Sequence, residues 1–172
     1  MKRKRLWIMS GIPGSGKSSY VRNKVANSND TAVWISRDNI RFNLLEENDD
    51  YFAKENIVYN CFIEDIKTWI KSDDEVVDVY ADATHLSVKG RTELIKKIAP
   101  FENLEINCIY FNVPLEIALE RNEQREGRAK VPRGVIRRMY YSQVAPTYKE
   151  GFEKIIYVDE FGEEKLYGRY DF

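Results

Sequence analysis

The run Gly11-Ile12-Pro13-Gly14-Ser15-Gly16-Lys17-Ser18 constrains this chain more than any other feature. It has the spacing of glycine, four residues, glycine, lysine and a hydroxyl residue. It stands between a short apolar run, Leu6 to Met9, and a segment of helical character from Lys17 to about Ala26. Glycines there let backbone N–H groups converge on phosphate oxygens, and a helix starting at once turns its positive end to the same anion. Lys17 supplies a charge for the β and γ oxygens. The Ser18 hydroxyl suits Mg²⁺, which prefers oxygen donors and keeps several waters. The candidate nucleotide-binding set is therefore Gly11, Pro13, Gly14, Ser15, Gly16, Lys17, Ser18 and Ser19, with ATP and Mg²⁺ as the expected cofactors. Hydrolysis and phosphoryl transfer both use such a loop, so the reaction must be read from the rest of the chain.

Around the loop, strand-like and helix-like segments alternate. Thr31 to Ile35 and Val76 to Ala81 are β-branched and aromatic runs, and Leu104 to Val113 and Lys154 to Val158 read the same way. Between them, apolar residues recur at helical intervals over Tyr51 to Ile70: Val58, Tyr59, Phe62, Ile63, Ile66, Trp69 and Ile70. Further helices are expected over Lys89 to Ile98, from Pro114 to about Arg125, and as a tyrosine-rich segment ending near Val144. Parallel strands need crossover connections, so the pattern predicts an α/β fold: a three-layer α/β/α sandwich of P-loop NTPase type with a mainly parallel central sheet. No linker or repeat divides residues 1–172, which read as one domain. The last dozen residues suit a hairpin or edge strand.

Composition sets limits rather than a function. With 43% hydrophobic and 32% charged residues the chain is of globular type, and a formal charge of −1 gives no overall pull toward polyanions. Cys61 and Cys108 lie in apolar-periodic segments without metal or redox spacing, and are expected to be buried thiols in a reducing cytoplasm. The basic stretch Lys2 to Arg5 reads as a solvated lead-in to the first strand. The apolar run behind it is too short for a signal sequence, and no membrane partner is expected.

Two other clusters carry chemistry. Ser36-Arg37-Asp38-Asn39-Ile40-Arg41 follows the second strand, at the carboxyl end where ligands of open α/β sheets bind. Asp38 and Arg41 share a helical face, so one can accept a hydroxyl proton while the other forks onto a neighbouring phosphate. A helix N-cap with an exposed arginine one turn later has the same spacing. Arg121 to Arg133 is rich in arginine around Gly127, and suits a basic helical lid in which Arg121 and Arg125 meet the donor phosphates. A solvated basic helix end is the plainer reading.

Taken together, GIPGSGKSS at Gly11 to Ser19, SRDNIR at Ser36 to Arg41, DATH at Asp82 to His85 and RNEQR at Arg121 to Arg125 resemble the kinase domain of phage-type 5′-hydroxyl polynucleotide kinases and related bacterial RNA-repair kinases, over most of the chain. The resemblance implies Asp38 as general base, Arg41 on the acceptor phosphate, Arg125 on the donor phosphates, and Thr84 and Val131 along the path of the terminal nucleotide. Asp82 would be the Walker-B-like carboxylate beside Ser18 at the metal, or a plain hydrogen-bonding or capping group. Relatives often carry asparagine where this chain has His85, read here as a structural or acceptor-lining group. The expected activity is a stand-alone, ATP-dependent kinase of DNA or RNA 5′ ends, with Lys17, Asp38 and Arg125 as its catalytic residues. A small-molecule or nucleotide-sugar kinase, of toxin-like or antibiotic-modifying type, shares these features. So does an ATP-binding switch that transfers nothing. The sequence leaves the oligomeric state open.

Overall fold

A computed structural model describes residues 2–168. The strands are β1 (Arg3–Ser10), β2 (Thr31–Ser36), β3 (Val76–Asp82), β4 (Leu104–Phe111), β5 (Lys154–Val158) and β6 (Glu164–Tyr167). The helices are α1 (Lys17–Ala26), α2 (Arg37–Leu44), α3 (Glu55–Ile70), α4 (Val88–Ile98), α5 (Leu115–Glu123) and α6 (Arg133–Ser142). One six-stranded sheet has the order β2-β3-β1-β4-β5-β6, parallel except for the β5–β6 pair. The edge strand anticipated near the C-terminus is β6, while residues 169–172 lie outside the described part of the chain.

Alternation along β1 divides the core. Leu6 and Ile8 join a cluster with Phe62, Ile63 and Ile66 of α3 and with Leu94 and Ile98 of α4. Met9 joins a second cluster, with Val21 of α1 and with Ile109, Phe111 and Val158. Helices thus cover both faces of the sheet, which gives the three layers. A third cluster packs Ile12 of the glycine-rich loop against Leu115, Ala118 and Leu119 of α5 and Ile136 of α6. It anchors the loop to the helices that bracket the expected lid.

Several expectations need correction. The basic start is strand rather than lead-in: Lys4 is only 5% exposed. Its Nζ donates to the carbonyls of Ser72 and Asp74, at 2.9 and 2.7 Å, so the turn before β3 solvates the charge in place of water. Arg5 Nε is 2.5 Å from the Asp78 carboxylate. The long helix begins at Glu55, because Tyr51 to Lys54 form turns. Trp69, one of the apolar residues at helical intervals, is 37% exposed, and Tyr141 of the tyrosine-rich helix is 77% exposed. Cys108 is buried, and burial pushes its thiol pKa up, whereas Cys61 is only half-buried; both are free thiols. No helix among the described residues is long and apolar enough to cross a membrane.

Candidate active site

The carboxyl ends of β1, β2 and β3 converge on the glycine-rich loop. Gly14 and Gly16 have φ of 81° and 95°, in the left-handed region. A Cβ on Gly14 would also stand 2.3 Å from the Ala118 carbonyl oxygen, so α5 packs where a side chain would go. Gly16 caps α1 without a side-chain hydrogen bond, which leaves the first amides of that helix to an anion. Lys17 folds back on the loop, its Nζ donating to Gly11 O at 2.8 Å and Ile12 O at 2.9 Å. Burial lowers its pKa to about 8, against the opposing pull of Asp82.

Lys17 and Asp82 each feel the charge of the other and of Asp38 and Arg125. Asp82 is 6% exposed, and its Oδ2 accepts from the Trp34 indole at 2.9 Å. Desolvation raises its pKa, with Lys17 pulling the other way. A buried carboxylate on the strand next to β1 is a group that Mg²⁺ can use, since that ion is held by one or two carboxylates and substrate phosphates rather than by a protein cage. No cluster of three or more acidic, His or Cys side chains suited to a metal occurs among the described residues.

Asp38 sits in the first turn of α2, whose N-cap is Ser36, with Oγ accepting from Asn39 N at 3.2 Å. The Asp38 side chain is 59% exposed, and its Oδ1 is held by Arg41 and, at 2.7 Å, by the Tyr51 hydroxyl. Arg41 is 4% exposed; besides Asp38 it binds Tyr51 Oη at 2.8 Å and Glu55 Oε2 at 2.7 Å. Burial, then the bond to Asp38, push the Tyr51 pKa up, so it remains a proton donor to that carboxylate. Sequence reasoning missed Tyr51 and Glu55. Glu55 carried a weak signal as an acid in the first turn of α3, where it also complements the helix dipole. Tyr51, in a turn, carried none.

His85 has φ of 42°, and its Nδ1 is 2.7 Å from Met9 O. Its Nε2 is buried without a protein partner, and burial lowers its pKa to about 4. The His85 carbonyl accepts from Ser10 Oγ and from Arg91 Nη1, both at 2.9 Å. Arg91, fully buried and also missed, is paired with Glu150. Thr84 gives its carbonyl to Gly11 N at 2.9 Å, so this segment buttresses the start of the loop.

The lid segment joins α5 to α6 through a 3-10 turn at Gly127–Ala129. Arg121 Nη1 would lie 3.4 Å from a Cβ on Gly16, and its Nη2 donates to Glu160 O at 2.5 Å. Arg125 reaches Ala129 O at 3.5 Å. Val131 is half-buried against the third cluster, and buried Asn122 takes both of its backbone groups, at 2.7 and 2.9 Å. A cavity of about 830 Å³ opens next to the loop, lined by Ser15, Gly16, Ser19, Arg121, Glu160 and Phe161 among others. Asp38 is not among its lining residues.

A phosphate loop after the first strand of a parallel sheet, with its lysine and a buried carboxylate on the strand beside it, defines the P-loop nucleotide-binding class. Within that class the chain belongs to the AAA domain family, whose model matches residues 6–146. Three solved structures share the fold. A fungal RNA kinase superposes with a TM-score of 0.63 at 14% identity, over 99% of this chain and 78% of its own. A chain of the Pnkp1/Rnl/Hen1 RNA repair complex gives 0.66 at 18%, over 99% of this chain and half of its own. A sugar kinase from Janibacter gives 0.57 at 15%, over 94% and 87%. At 14–18% identity these likenesses show a shared fold.

Proposed function

We propose that this protein transfers the γ-phosphate of ATP to the 5′-hydroxyl end of a DNA or RNA strand. The observation that carries this reading is Asp38: a carboxylate open to solvent on one side, fixed by Arg41 and Tyr51 on the other, and in the electrostatic field of Lys17. In the proposed mechanism the nucleoside occupies the cavity beside Arg121, and the phosphates lie over the amides of Gly14 to Ser19. Lys17 exchanges the Gly11 and Ile12 carbonyls for the β and γ oxygens. Ser18 and Asp82 would hold Mg²⁺, whose chemistry there would be to neutralise phosphate charge. The acceptor hydroxyl points at Asp38, which takes its proton as the oxygen bonds to the γ-phosphorus and the bond to the β-bridging oxygen breaks, releasing ADP. Arg125 closes on the equatorial oxygens, and Thr84 and Val131 border the strand end.

Arg41 enters this reading chiefly as the group that orients Asp38. To hold an acceptor phosphate as well, it would exchange the bond its Nη1 makes to Asp38 or Tyr51. The fungal RNA kinase and the RNA repair chain support a strand acceptor by shared fold. The near-neutral charge and the shared fold of the sugar kinase favour a second reading, a kinase of small hydroxyl compounds. The test is γ-labelled ATP with Mg²⁺ and 5′-hydroxyl DNA and RNA oligonucleotides, with Asp38→Ala alongside. Label on an oligonucleotide, reduced about 10²-fold or more in the variant, is expected for a lost general base. Label on polyols but on neither strand would replace this reading with the second.

A further inference from the structure

Resting on the polynucleotide reading, we propose that Phe52 is a stacking platform for a nucleobase within the first two nucleotides of the acceptor strand. Phe52 is 66% exposed, so its ring presents an apolar face to solvent. Its surroundings say what that face would meet. One side of the ring is fixed: Tyr51 meets it edge to face at 4.8 Å, and the Arg41 guanidinium carbon lies 5.8 Å from its centroid and 4.4 Å from that of Tyr51. The same Arg41 and Tyr51 hold the Asp38 carboxylate, so ring and proposed base are two ends of one small cluster. A strand whose 5′-hydroxyl sits at Asp38 brings its first bases within reach of the free side of Phe52. Stacking is tolerant of base identity, because every base has a π-face, and it suits an enzyme that acts on strand ends of any sequence.

The platform is also held in advance. Arg128 of the lid donates to the carbonyls of Glu46 and Glu47 at 2.8 and 2.7 Å. Lys54 reaches Leu44 O at 2.7 Å and the Asp49 carboxylate at 3.3 Å, and Glu46 N donates to Asp49 Oδ2 at 2.9 Å. The segment between α2 and α3 is therefore tied down at both ends and bridged to the lid, which reduces the ordering a bound strand would require. Phe161, more exposed still at 81%, lines the cavity beside Arg121 and is not part of this cluster.

The experiment compares wild type, Phe52→Ala and Phe52→Trp on two oligonucleotides, one intact and one abasic at its first two positions. Phe52→Ala is expected to raise KM for the intact strand about tenfold to a hundredfold, with a smaller change in kcat, while Phe52→Trp retains wild-type KM. On the abasic strand the wild type should already show the raised KM, and Phe52→Ala should add nothing to it. Nucleotide Kd serves as the folding control, since Phe52 lies away from the glycine-rich loop. An equal loss on both strands, or no loss on the intact one, overturns the platform while leaving strand phosphorylation standing. If wild type phosphorylates neither strand, the polynucleotide reading falls, and the platform with it.

Discussion

His85 sits in an environment far from water. Its ring is desolvated, its pKa lowered to about 4, and its backbone is at φ 42°. The unfolded chain takes up the proton near pH 6.5 and the folded one resists it until about pH 4, so between those values the unfolded state binds more protons. Stability is fully present above pH 6.5 and is lost as pH falls toward 4, by a total of about 3 kcal/mol. His85→Asn keeps a polar side chain tolerant of positive φ and removes the titration. Urea unfolding at pH 7 and pH 4.5 should show a smaller drop for the variant than for wild type; equal drops would assign the acid sensitivity to other groups. The loop residues Gly11 to Ser18 were legible because phosphate binding dictates both their types and their spacing. Tyr51, Glu55 and Arg91 were not, because each reaches its partner across a long stretch of chain, from a turn or a helix whose local pattern only reports burial.

At the scale of elements, one buried side chain sets the width of the lid. Asn122, at the buried end of α5, accepts from Val131 N and donates to Val131 O, closing the arginine-bearing segment into a loop of fixed width. Asn122→Ala leaves both backbone groups without their partner, a loss of about 1–3 kcal/mol each where they stay buried. Hydrogen exchange across residues 124–132 should quicken in the variant while β1 and β4 keep their protection; unchanged exchange in the lid would mean that another contact holds it. Of the element boundaries, those of α4 were read well, expected over Lys89 to Ile98 and found at Val88–Ile98, whereas α2 is capped by Ser36 rather than by Asp38. Boundaries were misread where apolar residues ran past the true start, as at Tyr51. The buried Lys4 shows the same limit from the other side. A charged residue reads as solvated until the carbonyls that receive it, here those of Ser72 and Asp74, are brought up by a distant turn.

For the whole molecule, alternation of strand and helix made a parallel α/β sandwich legible, but not the order of its strands. That order puts β1 between β3 and β4, so that Asp82 stands beside the loop, Asp38 one strand further out, and the Arg121 cavity on the opposite side. In the proposed reaction the donor occupies that cavity and the acceptor hydroxyl lies at Asp38, and in-line transfer requires the two to meet at the γ-phosphate. A P-loop protein that only binds or hydrolyses ATP has no need of an acceptor. The direct measurement is therefore stoichiometry: ADP released and 5′-phosphate formed, quantified together with wild-type protein, Mg²⁺, ATP and a rising concentration of 5′-hydroxyl strand. The account predicts ADP release that depends on the strand and matches strand phosphate one for one. ADP formed at the same rate with and without the strand, and no phosphate on it, would contradict it.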